Sequence, residues 1–302
     1  MNVSEIITNK IIEKLESGII PWQRPWKANK DMNNMFPCYS YSTGKRYDLI
    51  NQMLLDFIPG DYITFDQCTK AGGKVKKGAE SKIVVGWVVT KDKMKDKDGN
   101  IVTDEEGNEL EKTHFGLRYY RVFNITDCTG LDPKHDFSVD ETDETETIPA
   151  DEKAEKIIQD YLNKELTLTF ENRKGNRAYY SPLEDLVVIP DMSQFEQVAE
   201  YYSTCFHELT HSTMKSSRCN REQDRKGKSV AFGSNEYSKE ELVAEIGAAT
   251  LVNIAGLETE SSFRNSAAYV QSWVKALKND TNMIIQASIK ADKAIKYILG
   301  EE

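Results

Sequence analysis

The chain has 302 residues, enough for two domains that each bury a core, and no apolar run approaches the roughly 18 residues needed to span a bilayer. Its formal charge of −10 argues against a uniformly basic nucleic-acid binder, but the charge is unevenly spread: residues 1–130 carry 19 Lys and Arg against 18 Asp and Glu, while nine acids face Lys134 alone in residues 131–152. Ser4, Glu5 and Asn9 interrupt the opening stretch where an export signal needs its apolar core, and Cys38, Cys68, Cys128, Cys205 and Cys219 are odd in number and dispersed, so we expect a cytoplasmic protein with reduced thiols and no membrane partner.

In chain order, "VSEIITNKIIEKLESG" places Val3, Ile6, Ile7, Ile11 and Leu15 at helical spacing and ends on Gly18, which predicts an amphipathic opening helix. After "IIPWQRPW", the β-branched and aromatic runs "DYITFD", "KIVVGWVVT" and "LRYYRVFNI" predict strands. Residues 91–112 carry Asp-Gly and Glu-Gly-Asn turn signals and read as a projecting hairpin or loop insertion. We place an acidic, poorly ordered linker at 131–152, between a first domain at 1–130 and a second at 153–302. The second domain begins with a helix striped by Ala154, Ile157, Ile158, Tyr161 and Leu162, continues through the strand candidates "LTLTF", "RAYYS" and "DLVVIP", and is helical thereafter. Both domains are therefore expected to be α+β.

The segment "STCFHELTHSTMKSSRCNRE" holds two of the four histidines, spaced i and i+4 around a glutamate. On a helix His207 and His211 share a face and can aim both imidazoles at one point, with Glu208 beside them. A catalytic zinc takes three protein ligands and keeps a fourth position for water, whose proton a nearby carboxylate removes, so Zn2+ is the expected cofactor and Glu208 the expected general base. The other histidines, His114 and His135, lie in the first domain and the linker, which makes a downstream carboxylate the natural third ligand. "YSKEELVAEIGAATLVNIAGL" supplies Glu241 and Glu245 one turn apart on a helix whose apolar stripe is Leu242, Ile246 and Ala249.

This arrangement resembles the gluzincins of the thermolysin type, in which HExxH is followed on a later helix by ExxxD or ExxxE. The resemblance implies Glu241 as third ligand and Glu245 as the acid that orients His207 or His211. Glu stands where Asp is usual at the latter position, and Glu240 leaves the register open. It also implies a zincin core whose edge strand, near Leu186 to Ile189, pairs with an extended peptide, and Tyr237 as a proton donor or oxyanion partner.

In the first domain, "IIPWQRPWKANK" interleaves Trp22 and Trp26 with Arg24 and Lys27, and the prolines present the rings rather than leave them floppy. "KAGGKVKKGAESK", with Lys74 and Lys77, precedes the strand that holds Trp87. Rings that stack on bases, next to cations that meet phosphates, suit single-stranded DNA. The same tryptophans can equally be core aromatics and the lysines a solvated loop, and composition leaves both readings open.

The order of "IITNKIIEKLESGIIPWQRPW", "YDLINQMLL", "KKGAESKIVVGW", "YRVFNITD", "FHELTHSTMKSSRCNRE", "FGSNEYSKEELVAEIGA" and "AAYVQSWVKALKND" resembles that of ArdC-type antirestriction proteins over nearly the full length. The resemblance implies an ArdC-like single-stranded-DNA-binding domain joined to a zincin-like metallopeptidase domain. It further implies a mobile, conjugative or phage element as the source, protection of incoming DNA from host restriction, and a host restriction or other protein as a substrate. The chain departs from the pattern at "STMKSS", where an aromatic residue and a Gly are usual, and at Cys219, where Leu is common. Two other readings remain: a DNA-binding shield or mimic with a dispensable zincin fold, and a general cytoplasmic peptidase without DNA affinity.

Overall fold

Asn2 caps the first helix: its side chain accepts the Glu5 N–H at 2.8 Å, and the Glu5 carboxylate returns to the Asn2 N–H at 2.8 Å. In the computed structural model, which describes residues 2–23, 36–137, 149–222, 235–257 and 267–301, this helix is α1 (Val3–Glu16). It buries Ile7, Ile11 and Leu15, as the helical spacing requires. The chain leaves it through Gly18, whose φ of 84° an L side chain rarely adopts.

The N-terminal half then adds β1 (Cys38–Ser40), α2 (Leu49–Leu54), β2 (Gly60–Thr64), α3 (Phe65–Lys70), β3 (Lys74–Val75), β4 (Lys82–Lys93), β5 (Glu111–Asn124) and β6 (Cys128–Thr129). A four-stranded sheet has the order β1-β2-β5-β4, with β1 and β2 parallel and the other pairs antiparallel. β4 and β5 form a long ribbon from Lys82 opposite Val122 to Lys93 opposite Glu111. Beyond it, the isolated bridges Lys95 to Ile101 and Thr103 to Glu109 close two separate short turns at the tip of the ribbon.

The expected connector starts later than its acidity suggests. Asp61, fully buried, accepts the backbone N–H groups of Lys134 at 2.7 Å and His135 at 3.0 Å and meets His135 Nδ1 at 2.7 Å. A buried carboxylate satisfied by three donors ties residues 131–137 to the first sheet. The rest of the acidic run, residues 138–148, lies outside the described residues.

The C-terminal half opens with α4 (Ala150–Lys164), which buries Ala154, Ile158 and Tyr161. Next come β7 (Thr169–Arg173), β8 (Tyr179–Ser181) and β9 (Leu186–Pro190) in the order β7-β9-β8. This corrects the edge-strand expectation for Leu186 to Ile189. β9 is the centre of the sheet and buried at all five positions, parallel to β7 and antiparallel to β8, because its unbroken apolar run has two faces to cover. The helices α5 (Val198–Ser212), α6 (Asn235–Ala255), α7 (Ala267–Asn279) and α8 (Met283–Leu299) follow. Asp185, just before β9, receives a bidentate pair from buried Arg218 at 2.8 Å and 2.8 Å and pins the chain that leaves α5 to the sheet.

The two halves share one core. Ile7, Ile11, Leu15 and Trp22 belong to the same apolar cluster as Phe206, Leu242, Leu251, Trp273 and Leu277. Thr8 Oγ1 donates to the Thr281 carbonyl at 2.6 Å, and Lys278 pairs with Glu16 at 2.8 Å. Each fully buried aliphatic side chain contributes about 1.5–3 kcal/mol, so this contact outweighs the rim ion pair.

Candidate metal centre

α5 is amphipathic with a broad buried face, on which Cys205, Phe206 and Leu209 enter the core. His207 and His211 fall together on its flank, with Nε2 atoms 3.2 Å apart. α6 crosses that flank and brings Glu241, whose Oε2 lies 3.5 Å from His207 Nε2 and whose Oε1 lies 3.4 Å from His211 Nε2. The close approach depends on Gly247. A Cβ there would sit 2.6 Å from Thr210 Cγ2, on a buried side chain whose hydroxyl is already committed to the Phe206 carbonyl at 2.7 Å.

Three donor atoms thus converge, one each from His207, His211 and Glu241. A tetrahedral centre about 2.0–2.1 Å from each donor has donor-to-donor edges of about 3.3–3.4 Å; the two Nε2 atoms are 3.2 Å apart, and each imidazole meets one of the two Glu241 oxygens at 3.4–3.5 Å. Two imidazole nitrogens and one carboxylate are also a donor set that divalent transition metals accept. The residues present therefore fit a divalent cation. Glu208, buried beside the two histidines on α5, is the nearest acid in sequence that does not belong to this set.

The outer faces of the imidazoles differ. His211 Nδ1 meets Glu240 Oε1 at 3.4 Å, and Glu240 is gripped by buried Arg221 through Nη2 at 2.7 Å and Nε at 3.1 Å. Arg221 also donates to Thr213 Oγ1 at 2.7 Å and to the Thr210 carbonyl at 3.0 Å, so it locks the end of α5 to the start of α6. His207 Nδ1 has no hydrogen-bond partner among the described residues, and Glu245 Oε1 faces it at 3.7 Å. Tyr269 on α7 donates to Glu245 Oε2 at 2.9 Å.

Electrostatics follow this geometry. Burial disfavours a charged His211, yet hydrogen bonds to Glu240 and Glu241 and the Glu208 charge raise its pKa to about 10. Burial would lift the Glu240 carboxyl, but the Arg221 charge and the His211 bond bring it down to about 2. Glu241 is likewise buried, and its bonds to His207 and His211 hold it well below the usual carboxylate range. Without a cation, His211 carries the proton that balances the carboxylates.

The other residues singled out in the sequence separate. Trp22 is only 1% exposed and packs edge-to-face on Trp273 with ring centroids 6.3 Å apart. Its expected DNA contact is therefore corrected: the ring is part of the core between the two halves, because α1 and α7 close over it. Trp87 is 57% exposed on β4, and Lys74 and Lys77 are exposed around β3. Arg24, Trp26 and Lys27 lie outside the described residues, and of Tyr237, in the first turn of α6, the side chain does too.

Sequence reasoning passed over Arg221, Gly247 and Tyr269 and met Glu240 only as a doubt about register. Adjacent residues on a helix point about 100° apart, so the Glu240-Glu241 pair can serve both sides of one imidazole. That was the one signal available.

Comparison with known proteins agrees with this architecture. Residues 1–123 match the family described as the N-terminal domain of anti-restriction factor ArdC, and residues 152–290 match the zincin-like metallopeptidase family. Two proteins described as DNA primase TraC, both from Escherichia coli, are 32% and 31% identical over 99% of this chain. The chain spans only 20% and 27% of their lengths. The crystal structure of the antirestriction ArdC protein from the R388 plasmid in its metal-free form matches with a TM-score of 0.66 and 26% identity, over 100% of both chains. Its Mn(II)-bound form matches with a TM-score of 0.64 and 27% identity, over 99% of this chain and 98% of that one. The chain thus joins a domain that matches the ArdC N-terminal family to one that matches the zincin-like metallopeptidase family, and it is similar over its whole length to the ArdC protein of the R388 plasmid.

Proposed function

We propose that this protein binds single-stranded DNA and carries a divalent-metal peptidase site, and that it protects the incoming DNA of a mobile element from host restriction in the cytoplasm. The observation that supports this most is the convergence of His207, His211 and Glu241 from α5 and α6 beside Glu208. In this reading those three residues hold the cation. Zn2+ suits two imidazoles and a carboxylate, and the Mn(II)-bound form of the ArdC neighbour supports a site that also takes Mn(II).

A bound cation would supply Lewis acidity toward a peptide carbonyl and acidify a water. Glu208, buried beside the two histidines, would act as the base that accepts a proton from the attacking water and returns it to the leaving amine. Glu240 and Glu245 fix the imidazole faces turned away from the cation. Tyr237, at the start of α6, is the proposed hydrogen-bond donor to the developing oxyanion.

For DNA, the support comes from one face of the β4–β5 ribbon. Val85 pairs with Tyr119, Trp87 with Leu117 and Val89 with Phe115, and directly opposed residues share a face. Trp87 and Phe115 are 57% and 71% exposed, and Arg121 and Lys91 bracket the stripe. Rings for bases between cations for phosphates make a stacking platform for a single strand, with Lys74 and Lys77 as further phosphate contacts.

The test compares wild type, Glu208→Gln and Trp87→Ala for oligonucleotide binding, peptide hydrolysis and restriction protection. We expect Glu208→Gln to keep the cation and DNA and to lose hydrolysis; unchanged hydrolysis would remove Glu208 as the base. Full protection by Glu208→Gln would assign protection to DNA binding alone.

A further inference from the structure

We propose that Tyr269 is a positioning residue for the metal centre, and that Trp22 of the N-terminal half, through Trp273, holds Tyr269 in place; this rests on the reading of His207, His211 and Glu241 as metal ligands.

The argument starts from Glu245. Its Oε1 faces His207 Nδ1 at 3.7 Å, just beyond a hydrogen bond, while its Oε2 receives the Tyr269 hydroxyl at 2.9 Å. Glu has three side-chain torsions, so the orientation of a carboxylate toward an imidazole depends on what grips its other oxygen. Tyr269 supplies that grip. It also sets how closely Oε1 can approach Nδ1, and thereby which way the His207 ring turns its Nε2.

Tyr269 itself is held by rings. Trp273 lies one turn further along α7, on the same side of the helix, and meets the Tyr269 ring edge-to-face with centroids 6.1 Å apart and planes at 82°. Trp273 in turn meets Trp22 edge-to-face at 6.3 Å and 88°. Both indoles are buried, and neither indole N–H has a hydrogen-bond partner among the described residues, so packing holds the column. A contiguous path of contacts therefore runs from Trp22, just after α1, through Trp273, Tyr269 and Glu245 to His207. The metal centre is consequently not built by the C-terminal half alone: the N-terminal half supplies the last ring of its support.

The experiment measures Zn(II) affinity of the full chain by competition with a chromophoric chelator, and the visible spectrum of the Co(II)-loaded chain, for wild type, Tyr269→Phe, Trp22→Leu, Trp22→Phe and the double variant Tyr269→Phe/Trp22→Leu. Thermal melts confirm that each variant is folded. Tyr269→Phe is expected to weaken Zn(II) binding about 10-fold and to shift the Co(II) bands. Trp22→Leu is expected to weaken binding about 3- to 10-fold, with Trp22→Phe restoring most of it. The double variant should be no weaker than Tyr269→Phe by more than about twofold, since both changes act on one contact path.

Should Trp22→Leu fail to fold, Trp273→Leu tests the same column from within α7. Tyr269→Phe with wild-type affinity and an unchanged Co(II) spectrum would overturn the positioning role. A double variant whose loss is the product of the two single losses would overturn the column. A wild-type chain that binds no Zn(II) would instead sink the metal reading on which this proposal stands.

Discussion

His211 Nδ1 faces Glu240 Oε1 at 3.4 Å, so the acid behind the second histidine is the residue next to Glu241, whereas Glu245 stands behind His207. Arg221 Nη2 donates to the same Glu240 oxygen at 2.7 Å, and its Nε donates to the other at 3.1 Å. The consequence is that His211 and Arg221 are coupled through a buried carboxylate. Glu240→Gln should weaken divalent-cation affinity about 10- to 100-fold by titration calorimetry. Arg221→Ala should cost about 3–5 kcal/mol of stability in denaturant unfolding, because it takes the guanidinium away from a buried carboxylate and leaves Glu240 with His211 alone.

The raised pKa of His211, about 10 without a cation, sets a pH dependence for metal binding. Below that value the ring is protonated, and a cation must displace the proton before Nε2 can serve as a ligand. Affinity should therefore rise with pH, about tenfold per unit for each proton released. Zn(II) or Mn(II) titrations at pH 6, 7 and 8 check this. Affinity that is flat across the range would show that His211 gives up no proton.

Gly247→Ala should act on the metal centre without touching a ligand. The new Cβ would stand 2.6 Å from Thr210 Cγ2, so α5 and α6 must move apart. Strain of this kind typically costs about 1–3 kcal/mol, and here it separates Glu241 from the two histidines. We expect a lower melting temperature together with weaker Zn(II) binding. A Thr210→Ala background, which removes the obstructing atoms, should recover both.

Trp22 and Trp87 should fail in opposite assays. Trp22→Ala opens a cavity in the shared core and should destabilise the fold by about 3–5 kcal/mol, measured by thermal or denaturant melts. Trp87→Ala removes an exposed ring and should leave the melt unchanged. It should also weaken oligonucleotide binding by about 1–3 kcal/mol if one base stacks there. Equal DNA affinity of Trp87→Ala and wild type would move the DNA surface away from the β4–β5 ribbon.

Much of the site was legible because its chemistry is local. HELTH needs only helical spacing to place His207 and His211 on one flank, and Glu241 follows on the next helix. The residues that escaped notice act across loops. Arg221 reaches Glu240 from the segment after α5, and Tyr269 reaches Glu245 from α7, contacts that no spacing within one helix encodes. β9 was misplaced for a related reason: "LVVIP" declares an apolar strand, but whether it lies at the edge or the centre depends on which strands pair on each side.

By itself the sequence determined the longer elements, α1, the β4–β5 strands, α4 and the HExxH helix, because helix and strand periods are properties of neighbouring residues; the short α2, α3, β1, β3 and β6 carry too few residues to show a period. Only the tertiary structure decided that Trp22 is a core ring while Trp87 is exposed, that Glu240 and Glu245 each back a different histidine, and that the two halves share one core. Burial and side-chain contact are set by elements far apart in the chain, and a tryptophan beside a lysine looks the same in sequence whether it faces solvent or another helix.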